Sequence, residues 1–213
     1  MSYSTNKKAL EIFLSKVPMF SEPKEFLEQY MTPSHIAADI LWSAYMNNEI
    51  KDNVVLDFGC GTGIFTAGSS FLGASYSVCV DIDYEALETA RNFLSRAADQ
   101  PYDLVVADLR SSTPFRRSDC VVLMNPPFGV KSKGADLDFL KNAVMTCCVV
   151  YSIHKVSEGF FKVFEKFCRE NSLKCDILKI FPYPIKATLS KHVKKVVYVD
   201  AVVVKVSLNE KCF

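Results

Sequence analysis

Along most of the chain, short apolar runs alternate with longer amphipathic stretches. The runs at 53–58, 76–82, 102–109, 119–124, 148–153, 174–181 and 196–206 have strand length and are rich in Val, Ile, Leu and Phe. Their near-continuous apolarity predicts strands buried on both faces. The stretches at 62–72, 84–96, 136–147 and 157–170 carry helical periodicity, with turn or capping residues at their edges. This alternation predicts an α/β fold whose seven-stranded, mostly parallel sheet is covered by helices on both sides. Only "PYPIKATLSKHVKK" separates the last two runs. They are therefore expected to form a C-terminal antiparallel hairpin.

Ahead of the first strand lie three helical patterns, "TNKKALEIFLSKV", "PKEFLEQY" and "PSHIAADILWSAYMN". They are too short for a core of their own, so residues 1–50 are expected as a helical extension packed on a core of 51–213, one domain overall. Local chemistry reads Thr32 as a helix N-cap and Pro33 as the first helical residue.

Composition narrows the classes. With 213 residues, 49% of them hydrophobic, the chain can bury one sizeable core. Its formal charge of +1 makes it no polycation, so any nucleic-acid surface must be local. The first residues lack a signal-peptide run, and no later apolar run approaches the roughly 20 residues needed to cross a bilayer, which implies a soluble, intracellular protein. Eight cysteines contain no C-x-x-C pair. They are expected to be reduced, buried small hydrophobes, with no metal bound. His35, His154 and His192 show no ligand or triad spacing.

The first strand runs into "DFGCGTG", where Gly59, Gly61 and Gly63 permit a tight turn and close approach of a ligand to the backbone. Ile64 occupies the last glycine position of the dinucleotide fingerprint, which disfavours a dehydrogenase. Asp81 ends the second strand, where a carboxylate can accept from both ribose hydroxyls. Asp108 or the amide of Leu109, at the end of the third, can meet an adenine edge. The fourth strand ends in "NPPF", beyond the carboxyl edge of the sheet where α/β proteins bind ligands. An exocyclic aromatic amine is a poor nucleophile because its lone pair is delocalised into the ring. The Asn125 oxygen and the Pro126 carbonyl can accept its two N–H groups as positive charge develops on nitrogen. Pro127 stiffens the turn, Phe128 offers a stacking face, and no general base is needed.

"DFGCGTG", "VDID" and "NPPFG", in this order, resemble class I S-adenosylmethionine-dependent amino-methyltransferases. With "LEQYMTPSHIAADIL", "NPPFGVKSKGADLDFLKNA", "VYSIHK" and "KHVKK", nearly the whole chain resembles the methyltransferase-like protein 5 family of 18S rRNA adenine-N6 methyltransferases. That resemblance implies a Rossmann-like fold with S-adenosylmethionine held by Gln29, Thr32, Gly59, Gly61, Thr62, Ile64, Asp81, Asp108 and Leu109. It implies Asn125, Pro126, Pro127 and Phe128 as the catalytic loop, and RNA contacts from Lys191, His192, Lys194 and Lys195. Two positions depart from the family pattern: Met31 where proline is common, and Thr62 where cysteine is common. The family also implies a Trm112-like zinc-binding activator that adds a strand to the sheet, and a nuclear or cytoplasmic location. The 102–109 strand, expected at an edge, suits such pairing. Methylation of a protein glutamine or of DNA adenine by the same loop, or a non-catalytic RNA- or partner-binding scaffold, are the alternatives.

Overall fold

The computed structural model describes residues 6–129, 131, 134–189 and 193–208, with backbone alone for 186–189 and 193–195. The chain order is α1 (Lys7–Leu14), a short 3-10 turn (Glu25–Leu27), α2 (Ser34–Met46), β1 (Val54–Phe58), α3 (Ile64–Phe71), β2 (Tyr76–Asp81), α4 (Tyr84–Ala97) and β3 (Tyr102–Val106). It continues with β4 (Ser118–Met124), α5 (Ala135–Thr146), β5 (Cys147–Lys155), α6 (Phe160–Glu170), β6 (Leu173–Leu189) and β7 (Val193–Leu208). The seven strands form one sheet in the order β3-β2-β1-β4-β5-β7-β6. The first five are parallel, and β7 and β6 add antiparallel to them.

Alternation along the strands explains the two-sided core. Val55, Val121 and Leu123 face one buried cluster with α1 to α4, whereas Leu56, Phe58, Val122 and Met124 face a second with α5 and α6. Leu10, Leu14, Ile36, Ala37 and Leu41 carry the N-terminal helices into the first cluster. Gly68 of α3 is what admits them, because a Cβ there would collide with Leu41 and crowd Leu14.

Four expectations change. The terminal hairpin is longer than 174–181 and 196–206, because Pro182 and Pro184 continue β6 instead of breaking it. β6 lies at the sheet edge, where a missing N–H costs no ladder bond on the open side. β3 stops at Val106, so Asp108 and Leu109 sit in the loop beyond it. Pro33, not Thr32, is the N-cap of α2, and the Thr32 hydroxyl is engaged elsewhere. The cysteines are not all reduced: Cys60–Cys79, Cys120–Cys147 and Cys168–Cys175 are bonded pairs. A spacing rule misses them because neighbouring elements, not sequence neighbours, bring their Cα atoms to 5.4, 4.8 and 6.2 Å.

Candidate active site

The sheet order reverses direction between β1 and β4, and the carboxyl ends of β1, β2 and β4 open on one side there. After β1 the chain turns through Gly59, Gly61 and Gly63 with φ of +68°, +53° and +86°, the left-handed region that side chains resist. The turn is fixed by backbone bonds: the Gly59 and Cys60 amides donate to the Val80 carbonyl at 2.8 and 3.0 Å. Asp81 completes it, accepting from the Gly61 amide at 2.8 Å and the Asp83 amide at 2.9 Å. Burial raises the Asp81 carboxyl above its ordinary range even though these amides oppose the shift. Asp57 lies deeper still, accepting from the amide and hydroxyl of Thr66 at 2.8 and 2.9 Å. Burial, with a smaller contribution from the Asp81 charge, pushes it up to about 7.

The segment before α2 straps this loop to the next. Phe20 lies directly over Gly61, where a Cβ would come within 2.6 Å of the ring. The Gln29 amide accepts from the Lys24 amide at 2.7 Å and donates to Asp83 at 2.6 Å. Burial pushes Asp83 up, but the Lys24 ammonium at 2.6 Å and the Gln29 amide outweigh it and hold the carboxyl below its usual range. Glu28, itself buried, accepts from the Lys131 amide at 2.7 Å, beyond the "NPPFG" turn. Thr32 accepts from the Asn125 side chain at 3.0 Å. Three residues of "EQYMT" therefore pin three separate parts of the site.

Asn125 leaves β4 with its Nδ2 donating to Thr32 Oγ1 and, at 2.8 Å, to Tyr183 Oη. Its Oδ1 is buried and has no hydrogen-bond partner. Tyr183, from β6, is fully buried, and desolvation pushes its phenol up to about 12 against the bonds to Thr32 and Asn125. Phe128 is 7% exposed, with the Tyr183 ring edge-on at 5.3 Å and the Tyr30 ring at 6.2 Å. These two rings lie beside the face on which a planar base was expected to stack.

Two adjoining cavities collect the expected cofactor residues. Gln29, Gly59, Gly61, Asp81, Asp108 and Leu109 line one together with Asn125 and Pro127. Thr32, Thr62 and Ile64 line the other, which shares Phe20, Tyr30, Gly59, Gly61 and Asn125 with the first. Pro126 is buried behind the turn. The Asp108 carboxylate is paired with Arg110 at 2.8 Å, which leaves the loop backbone as the freer contact at that end. Lys191 and His192 lie outside the described residues, and of Lys194 and Lys195 only the backbone in β7 is described. Among the described residues no cluster could hold a metal ion, and no helix is long and apolar enough to cross a membrane.

Phe20, Glu28, Asp83 and Tyr183 belong to the site and were not expected. Glu28 lies inside the quoted "LEQYMTPSHIAADIL" and Asp83 inside "VDID", whereas Phe20 precedes the first of these motifs and carried a signal through proximity alone. Tyr183 carried none, since it follows the residue at which the sixth strand was expected to end.

The chain matches the family model for the methyltransferase small domain over residues 34–146. It is 34% identical to the rRNA N(6)-adenosine-methyltransferase METTL5 of Danio rerio over 88% of this chain and 92% of the relative. It is equally identical to the Drosophila melanogaster Mettl5 over 88% and 90%. The crystal structure of a candidate RNA methyltransferase from Pyrococcus horikoshii superposes with a TM-score of 0.86 at 35% identity, covering 97% of this chain and 99% of that one. The glycine turn, the Asp81 strand end and the "NPPF" loop thus sit in a class I methyltransferase fold, and the chain belongs to the methyltransferase-like protein 5 family.

Proposed function

We propose that this chain methylates N6 of an adenosine in rRNA, specifically in 18S rRNA of the small subunit, using S-adenosylmethionine. One observation carries the reading: Asn125 lines both cavities, and its amide oxygen Oδ1 is buried without a partner. An orphaned buried acceptor costs about 1–3 kcal/mol, a cost that an incoming N–H donor removes. The relatives named for rRNA N6-adenosine methylation support adenine as that donor.

The site fits the cofactor that the fold and family imply. The turn presents bare backbone at Gly59 and Gly61, against which Phe139 and Phe20 pack, and Asp81 would supply the carboxylate edge for ribose hydroxyls. Gln29, Thr32, Thr62, Ile64, Asp108 and Leu109 would complete the enclosure. Bound there, S-adenosylmethionine supplies an electrophilic sulfonium methyl. Asn125 Oδ1 and the Pro126 carbonyl would hold the two amine hydrogens, an interaction that strengthens as nitrogen becomes tetrahedral. Phe128 would form one wall for the base once Tyr30 yields, and Tyr183 would remain behind it. The proton departs to solvent after transfer.

The basic residues Lys191, His192, Lys194 and Lys195 would contact RNA phosphates, and an rRNA substrate puts the work in nucleus or cytoplasm. A Trm112-like activator would pair with β3, which among the described residues pairs with β2 alone and exposes Val106 at 57%. Co-expression with that activator should raise soluble yield, and an equally soluble and active lone chain would contradict the dependence.

The test of the function is mass spectrometry of nucleosides from small-subunit rRNA, with and without the protein. Loss of one N6-methyladenosine on removal is expected. An unchanged rRNA, with methylation lost from a protein glutamine or from DNA instead, would sink the reading.

A further inference from the structure

A carboxamide presents an acceptor at one end and a donor at the other, in nearly the same shape. Asn125 can hold an amine only if its oxygen faces the cavity; turned over, it would set an N–H against an N–H. Something must fix its direction. Both Nδ2 hydrogens are spent, on Tyr183 Oη at 2.8 Å and Thr32 Oγ1 at 3.0 Å. The Tyr183 hydroxyl has one proton, and its oxygen lies 3.4 Å from the Met31 carbonyl, a group that can only accept. With that proton turned to Met31, the phenol offers Asn125 a lone pair. Reversing the amide would either set Oδ1 against this lone pair or, if the phenol proton turned to meet it, strip the Met31 carbonyl of its donor.

We propose that Tyr183 is a positioning residue that locks the Asn125 amide with its oxygen towards the substrate, and so makes the site selective for an exocyclic amine over a ring carbonyl at the same place. The inference rests on the reading of Asn125 as the amine acceptor. Tyr183 is fully buried in β6 and acts through Asn125 without touching the substrate. The hydroxyl is the active part, because the ring's edge contact with Phe128 at 5.3 Å survives in phenylalanine.

The experiment is a double-mutant cycle in the full chain with its activator: wild type, Tyr183→Phe, Asn125→Ala and the double variant. Single-turnover methyl transfer to an 18S rRNA fragment, cofactor affinity and thermal melting are read on each. Tyr183→Phe should slow transfer on the order of 100-fold, the cost of a misplaced reacting geometry, at unchanged cofactor affinity. In the Asn125→Ala background it should cost nothing further, since no amide remains to orient. A lower melting temperature is compatible with this, whereas a merely structural role would slow both backgrounds equally and overturn the inference. Tyr183→Phe at the normal rate beside a slow Asn125→Ala would overturn it too, with the acceptor reading intact. Asn125→Ala at the normal rate would sink the acceptor reading and the inference with it. If Tyr183→Phe does not fold, Thr32→Val enters the same cycle, and additive rather than coupled losses there also count against the lock.

Discussion

The glycine turn and the "NPPF" loop stand side by side but are held in opposite ways. The glycine turn is fixed by its own neighbourhood: Asp57 reaches Thr66 nine residues on, and Asp81 takes the Gly61 amide twenty residues back. The "NPPF" loop is held from far off in sequence, by Thr32 at 93 residues, Tyr183 at 58, and Glu28 at 103 residues from Lys131. One half is backbone and buried carboxylate; the other is a neutral amide between two hydroxyls. The first is built largely from local chain, with Phe20 of the N-terminal strap laid over Gly61, while the second draws its supports from both the N-terminal strap and the C-terminal hairpin.

Substitutions should separate the halves. The largest effect is expected from Asn125→Ala, which should cut turnover about 100- to 1,000-fold, the usual loss for one preorganised contact, with cofactor affinity retained by calorimetry. Next comes pH, which should act on the glycine half. Asp57, pushed up to about 7, keeps a proton in the native state that the unfolded chain releases above about pH 4. The unfolded state then binds fewer protons, so stability falls as pH rises from about 4 to about 7 and levels off above, by up to about 4 kcal/mol. Asp81, also raised, adds to the same slope. Denaturant melts across this window should show the fall, and Asp57→Asn should flatten most of it. A flat wild-type profile would contradict the burial argument.

Asp81→Ala should weaken S-adenosylmethionine binding by roughly 1–3 kcal/mol, through the lost ribose acceptor and the loosened Gly61 amide. Chemistry at saturating cofactor should be affected much less. Normal affinity in a folded variant would remove Asp81 from the cofactor site. The smallest effect is expected from Lys131→Ala. Among the described residues its ammonium makes only an exposed pair with Glu25, while the bond that ties the loop to Glu28 comes from the backbone amide and survives. Melting and turnover should both stay at wild-type values, and a marked loss in either would show that the side chain holds the loop.

The same contrast governs how much was legible in the sequence. The seven strands and the glycine turn could be located because burial on both faces and positive φ leave local marks, in runs such as 119–124 and in Gly59, Gly61 and Gly63. The "NPPF" motif was legible as a strand end, and its chemistry followed from the side chains. Its supports were not. Thr32 beside Pro33 has the look of a helix cap, and only the folded chain shows that its hydroxyl meets Asn125. Pro182 and Pro184 look like breakers until β6 is known to be an edge strand, so Tyr183 between them was read as loop. The cysteine pairs failed for a related reason, since Cys60–Cys79 and Cys120–Cys147 join neighbouring strands or the turn that leaves one, and Cys168–Cys175 joins α6 to β6, placements that the C-x-x-C spacing does not test.

The most direct test of the central claim is a single-turnover transfer of isotope-labelled methyl from S-adenosylmethionine by the purified protein, alone and with the proposed Trm112-like activator. The acceptor is intact small-subunit rRNA, which is digested to nucleosides afterwards. The account predicts label in one product, N6-methyladenosine, formed by wild type and almost absent with Asn125→Ala. Label on another nucleoside or on protein, or equal labelling by the Asn125→Ala variant, would contradict it.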